Sequence, residues 1–537
     1  MTEPDDGKTR LTSSTAAEQQ EKLITRSEQL TSETPQDASK LQGRLTPFLL
    51  FTVFAITFGS AFQFGYHIGC VNAPGKLITQ WFRESYFRQN NQTLSADTAD
   101  FLWSLSVGIF ALSGMIGGLL SGLLADKMGR KGALLFNNLF AFIAAALLGL
   151  AKFVDCLYLI PIGRFVIGFN CGLNSGLVPM YLTEVSPINL RGTLGSVNQL
   201  MITVAILVSQ ILGLPFILGN VDLWPYIFVF TVVPALTQLA TLPFCPESPK
   251  YNLIVKGKKD QAEKDLKRLR AKDDVSGEVE IMEEEAIVGR SQPKVSFKDM
   301  FGAALRWPLL IAVMMMLSQQ LSGINAAMFY STQIFSEAGL TENCERFINS
   351  VIGPFYATIA MGFINVVQTM ISVWLVDHPK FGRRSLHLIG LVGMAISSLL
   401  IVASMILAGE KTANGQSQNQ WASYASIVFV LLFVVSFATG PGSIPWFFVS
   451  ELFPSNARGN ANSIAVAANW LANGAVGISF LPLNNMLGKF TFLVFVGFLS
   501  FFILFTYKFV PETKGKTVEQ INQEMNKKNK NTATISD

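Results

Sequence analysis

Between Pro47 and Val510 the chain returns repeatedly to apolar stretches of about 20 residues, the length at which a helix crosses a hydrocarbon core of roughly 30 Å. Twelve can be counted, within residues 47–70, 101–125, 132–153, 157–181, 193–218, 223–244, 307–332, 350–376, 385–408, 422–450, 460–482 and 490–510. Backbone in lipid finds no water to bond, so such segments must satisfy their own polar groups as helices. The chain is therefore expected to be an all-α membrane protein of twelve transmembrane helices. Composition agrees: 50% of residues are hydrophobic and 15% charged, against about 25% charged in soluble domains. A net charge of +4 over 537 residues gives no surface for nucleic acid. Cys70, Cys156, Cys171, Cys245 and Cys344 form no CxxC and no regular spacing, so neither a metal site nor a disulfide framework is read from them, and no cofactor is expected.

The polar segments divide the chain. Residues 1–46, rich in Thr, Ser, Glu, Gln and Lys, read as a disordered cytoplasmic tail without a cleavable signal. Residues 47–245 read as a first lobe of six helices, 246–306 as a cytoplasmic linker, 307–510 as a second six-helix lobe, and 511–537 as a second cytoplasmic tail. In the linker, KKDQAEKDLKRLRAK lacks Gly and Pro and is expected to form amphipathic surface helix, the alternative being a solvated linker. Lys127, Arg130, Lys131, Lys380, Arg383 and Arg384 fall in connections on the linker's side, and the positive-inside rule then places both termini in the cytoplasm. Asn91-Gln92-Thr93 is a glycosylation sequon in the loop this topology puts outside.

The two halves share a pattern. Glu184 precedes Arg191-Gly192 by seven residues, and Glu451 precedes Arg458-Gly459 by seven. Gly129-Arg130-Lys131 is answered by Gly382-Arg383-Arg384, and Pro246-Glu247-Ser248 by Pro511-Glu512-Thr513. An even number of spans per half relates the lobes by an axis along the membrane normal, the architecture of a two-lobed transporter. The paired charges, Glu184, Arg191, Glu247, Arg383, Glu451, Arg458 and Glu512, are expected to latch the lobes together at one end; ordinary snorkelling is the alternative.

These residues carry a resemblance. GRKGA at 129, PMYLTEVSPINLRGTLG at 179, PESPKY at 246, QQLSGINA at 319, FGRRSLHLIG at 381, GPGSIPWF at 440 and VPETKGKT at 510 resemble the sugar porters of the major facilitator superfamily, and in particular the animal facilitative glucose transporters. The resemblance covers residues 47 to about 520. It implies the major facilitator fold, alternating access of a neutral hexose without ATP, and a location in the plasma membrane.

A hexose is uncharged and covered in hydroxyls. Carboxamides suit it because each offers a donor and an acceptor without burying a charge, and an aromatic ring can lie on the sugar's C–H face. Gln199, Gln319, Gln320, Asn325, Asn365, Trp446, Trp470 and Asn473 lie at membrane depth, and the resemblance implies that these bind the sugar. Each alone has a second reading, since amides also join helices in lipid. Asn170, Asn174 and Gln368 lack the family match and are expected to be packing.

Gln320 and Asn325 lie about 140° apart on an ideal helix, so one ligand is reached by both only if the helix yields at Gly323. Gly440-Pro441-Gly442 and Pro445 must break the tenth span, which is tolerated where backbone is buried or lines a cavity. Two residues depart from the glucose-carrying pattern. Ala438 stands where that branch has a glutamate, which opens the pathway to fructose, and Asp377-His-Pro-Lys-Phe-Gly382 lengthens its turn by two residues. His67 occupies the position where proton-driven relatives have an aspartate. The expected mode is uniport; the alternatives are a proton-coupled sugar or polyol symporter using His67, and a sugar sensor that does not transport. No HExxH, GxSxG or P-loop is present, so neither an enzyme nor ATP driving is expected.

Overall fold

The computed structural model describes residues 43–291, 295–337, 354–378, 380–409, 418–453, 455–514, 516, 520–521 and 524–525. Among them all regular structure is helical. The first half contains α1 (Pro47–Gly69), α2 (Gly75–Asn90), α3 (Ala96–Met128), α4 (Arg130–Leu150), α5 (Leu159–Val185), α6 (Arg191–Leu212) and α7 (Trp224–Phe244). Three short polar helices follow: α8 (Pro249–Ile254), α9 (Lys259–Arg270) and α10 (Ser276–Ser291). The second half contains α11 (Arg306–Gln320), α12 (Ile324–Glu337), α13 (Pro354–Asp377), α14 (Arg383–Leu407), α15 (Gln420–Thr439), α16 (Ile444–Leu452), α17 (Ser455–Leu487) and α18 (Thr491–Phe509).

Eleven helical stretches among the described residues are long and apolar enough to cross a membrane. The last, Ala457–Phe509, is 53 residues long and holds two crossings, because Gly488 takes φ +51° and separates α17 from α18. Twelve crossings result, as the hydropathy pattern predicts.

Local chemistry sets the ends. Thr46 caps α1 by accepting from Leu49 N, with Pro47 at the first position; Ser95 caps α3 from Thr98 N, with Asp97 in its first turn. Within the first half, α5 lies so close to α3 that a Cβ on Gly172 would sit 2.0 Å from Gly114 O. Gly168, Gly172 and Gly176, four apart, form the small-residue face that permits this approach. The halves meet along two seams, α3 against α17 and α6 against α13.

The polar helices gather at one end of the bundle, called here the loop-helix end. Within that stretch KDQAEKDLKRLR does form a helix, α9, burying Leu266 and Leu269. The Arg270 guanidinium donates to Val185 O at 2.8 Å and pairs with Glu278 at 2.9 Å. The last residues of the polar N-terminal segment dock here as well: Thr46 Oγ1 donates to Leu269 O (2.8 Å), and Gly43 exchanges two bonds with the Asn189 side chain, both at 3.0 Å. Gly43 and Thr46 are thus buried and bonded, with Arg44 and Leu45 exposed between them.

At the far end, α2 is an element that the sequence reading treated as loop. It buries Ile78, Trp81, Phe82 and Ser85, with Trp81 against Trp224 at 5.4 Å, and Arg88 pairs with Asp155 at 2.6 Å. Arg88 bonds the Asp155 carboxylate and holds its pKa below the usual range. Asn91 ends α2 in a left-handed conformation, φ +52°, with its side chain exposed.

Candidate functional site

Two spans of the second half are broken, and the breaks create the site. Between α11 and α12 the chain turns at Leu321–Gly323, where Gly323 has φ +90° and no space for a Cβ, the Phe495 ring lying 2.7 Å from its position. Between α15 and α16 the helix opens at Gly440–Ser443. Opening leaves the Pro441 and Gly442 carbonyls without helical partners, and Gln319 Nε2 donates to both, at 2.9 and 2.8 Å. An amide of span seven thus repairs the broken backbone of span ten.

The neighbouring amides extend this bond into a network. Gln319 Oε1 accepts from Gln320 Nε2 at 3.2 Å and from Asn469 Nδ2 at 2.8 Å. Gln320 also donates to Asn469 Oδ1 at 3.0 Å, and Asn325 Nδ2 donates to Gln320 Oε1. An unbroken helix would hold Gln320 and Asn325 apart; the turn at Gly323 brings them into contact. All four residues are buried. Asn469 was not singled out from the sequence, although its i, i+4 spacing to Asn473 in an apolar span was the available signal.

The other expected sugar contacts stand around this network. Trp470, 1% exposed, crosses from α17 into the first half. Its ring meets Phe64 and Phe110 at 5.2 and 5.7 Å, its Nε1 donates to Ser175 Oγ at 3.3 Å, and it fills the space a Cβ on Gly114 would need. Trp446 is half-buried beside the cluster containing Trp470. Asn365 and Asn473 are buried, each with an Oδ1 that has no partner among the described residues. Gln199 is half-buried on α6. The amides read as packing are bonded: Asn137 Nδ2 donates to Asn170 O and Asn174 Oδ1, both at 2.9 Å, and Gln368 donates to Thr439 Oγ1 at 2.9 Å.

The paired charges form a duplicated clamp at the loop-helix end. In the first half Arg130 forks onto Glu184 (2.8 and 2.9 Å), Ser248 Oγ donates to Glu184, and Glu247 accepts from the N–H groups of Arg130 and Lys131 at 3.0 and 3.1 Å. In the second, Arg383 lies 3.7 Å from Glu451, Thr513 Oγ1 donates to Glu451 at 2.5 Å, and Glu512 accepts from Arg383 N and Arg384 N at 2.8 and 3.2 Å. Glu247 and Glu512 each sit at the N-terminus of a helix, α4 and α14, where backbone donors and the helix dipole favour a carboxylate. Each of these bonds lies within one half, joining spans of the same lobe and the segment that follows it, and the expected latch between the halves is not among them. Arg130, left out of the latch, is the partner of Glu184. Arg458 donates to Phe453 O at 3.2 Å, also within its half. The Arg191 side chain lies outside the described residues, as do the Asp377 side chain and Cys344.

In span one, His67 is fully buried. Its Nδ1 lies 3.6 Å from Cys70 Sγ, and its carbonyl accepts from Arg164, itself buried over the Phe110 ring at 4.2 Å. The acids of the crossing helices, such as Asp97, Asp126, Glu184 and Glu451, lie near their ends, and the middle of the bundle is left to amides, hydroxyls and aromatics.

Residues 52–525 match the model of a family described as "Sugar (and other) transporter". The chain is 60% identical over 486 residues to facilitated glucose transporter protein 1 of Caenorhabditis elegans, covering 90% of this chain and 92% of that one. It is 42% identical to facilitated glucose transporter member 3 of solute carrier family 2 from Homo sapiens, covering 89% and 92%. Among solved structures, the proton:xylose symporter XylE bound to 6-bromo-6-deoxy-D-glucose superposes with TM-score 0.71 at 27% identity, covering 90% of this chain and all of that one. XylE from E. coli in a partially occluded inward-open conformation gives 0.69 at 27% identity, covering 88% and 100%.

Proposed function

Because the chain belongs to the sugar transporter family, a multi-pass membrane protein of the major facilitator fold, we propose that it carries glucose down its gradient by alternating access, as a uniporter in the plasma membrane. The observation that carries this reading is the amide network on two broken spans. Gln319, Gln320, Asn325 and Asn469 are uncharged and bonded chiefly to one another and to opened backbone, so a hexose hydroxyl can replace one amide partner with another without a charge crossing the membrane. Gln199, Asn365, Trp446, Trp470 and Asn473 complete the sugar pathway in this reading. The loop-helix end is cytoplasmic, with both termini, and Asn91, exposed at the far end of the bundle, faces outside as a glycosylation site.

Uniport is favoured because the first span carries His67 where a proton-driven relative carries an acid, and no carboxylate sits mid-membrane to take its place. A second reading, acceptance of fructose, rests on Ala438, a buried small residue two positions before the span-ten break. The test is uptake of labelled glucose, fructose and galactose into proteoliposomes, with Gln320→Ala beside wild type. Glucose is expected to enter fastest, with Gln320→Ala slowing it at least tenfold, about the effect of losing two buried hydrogen bonds. Intact uptake by Gln320→Ala removes the site assignment.

A further inference from the structure

Several buried amides in this bundle are bonded at one end or both. Gln63 bonds Gly59 O and Asn138; Gln238 bonds Ser60 and Ala55 O; Gln319 bonds two carbonyls of span ten. Gln210 differs: it is 3% exposed, and neither its Oε1 nor its Nε2 has a partner among the described residues. Leaving both ends of an amide unbonded costs more than an ordinary packing role returns, since apolar side chains of similar size incur no such penalty.

Its place in the fold supplies a use. One face of α6 packs on the first span of its own half, with Ile202, Ile206 and Ser209 against Gly65 and Gly69. The other face carries Gln199, Thr203, Leu207 and Gln210, spaced by four, four and three residues, and Leu207 and Gln210 meet α13 of the opposite half. Directly across the seam is Gly362, where a Cβ would stand 2.1 Å from Gln210 Oε1. One turn along the same face of α13 is Asn365, whose Oδ1 is also unpartnered. Two buried amides with unused bonding capacity thus face the seam between the halves, at the end away from the loop helices. Gln210 lies about 16 Å along α6 from Gln199 on the same stripe.

We propose that Gln210 contacts the sugar directly and forms with Asn365 a subsite at the far end of the pathway, which a hexose occupies on its way to or from the network around Gln320. The inference rests on the hexose-transport reading above and adds a residue and a position to it. The amide donates to one sugar hydroxyl and accepts from another, and Gly362 leaves the room that this contact needs.

The test compares wild type, Gln210→Leu and Gln210→Asn in proteoliposomes, using labelled D-glucose and the monodeoxyglucoses lacking one hydroxyl each as competing sugars. Gln210→Leu is expected to raise the half-saturation concentration for glucose about fivefold, and to leave unchanged that of the one or two deoxyglucoses lacking the contacted hydroxyl. Gln210→Asn, an amide one methylene shorter that serves if Gln210→Leu does not assemble, should give a smaller rise with the same selectivity. A role in packing alone shifts every sugar by the same factor, and that outcome, or no shift, overturns the proposal. If wild type itself moves no glucose in these vesicles, the transport reading has failed instead.

Discussion

The two halves set the same residue type in different surroundings. In the first half, amides knit neighbouring helices side by side: Asn138 bonds Gln63 at 3.0 Å and Gln238 at 2.8 Å, and Asn137 bonds Asn174 at 2.9 Å. Its first span keeps its helical course through a π turn at Thr57–Ala61, and its fourth runs unbroken from Leu159 to Val185 with Pro179 inside. The corresponding spans of the second half, seven and ten, are each interrupted, and there the amides bond opened backbone and one another. The difference places interrupted backbone directly beside the amide network in the second half.

The largest test of that contrast is Gly323→Ala. Left-handed backbone plus the collision with Phe495 cost on the order of 2–5 kcal/mol, so glucose uptake should fall by at least tenfold. Gly122→Ala in α3, where a Cβ would meet nothing within 4 Å, is the matched control and should leave uptake near wild type. Equal losses in the two variants would break the comparison.

Next in size is the duplicated clamp. Arg130 and Glu184 are each 11% exposed and bond as a fork, whereas Arg383 and Glu451 stand 3.7 Å apart with the carboxylate 29% exposed. Glu184→Gln should destabilise the protein by roughly 3 kcal/mol and Glu451→Gln by about 1 kcal/mol. Melting temperatures in detergent should rank in that order, and the reverse ranking would show the second clamp to be the firmer.

Gln319→Leu should leave the Pro441 and Gly442 carbonyls unbonded, at a cost of about 1–3 kcal/mol. Hydrogen exchange should then quicken at residues 440–446, while Asn138→Leu produces no change there. The smallest effect is expected for Gln368→Ala, which loses a half-buried bond to Thr439: about 0.6 kcal/mol, and glucose uptake within twofold of wild type.

Much of this was legible in the sequence, for identifiable reasons. Length and apolar pattern specify crossings because lipid leaves the backbone no alternative, and Gly323 and Gly440-Pro441-Gly442 announce breaks because their backbone chemistry does. The resemblance pointed to Gln319, Gln320 and Asn325. Partners, however, are a property of three dimensions. Spacing matched the acids of the two halves to each other, yet the contacts join Glu184 to Arg130 and Glu512 to the start of α14, distances of 54 and 129 residues along the chain. Nor does composition show that Gln319 serves backbone opened 122 residues away. The buried stripe of α2, Ile78, Trp81, Phe82 and Ser85, was available as an i, i+3, i+4, i+7 pattern but hidden by its polar flanks.

The central claim is that a pathway of amides between the two halves passes an uncharged sugar without an ion. The most direct measurement is the steady ratio of labelled glucose inside and outside wild-type proteoliposomes under an imposed pH gradient, acid outside. The account predicts a ratio of one, reached at the same level with or without the gradient. Accumulation above one that collapses when the gradient is dissipated would contradict it.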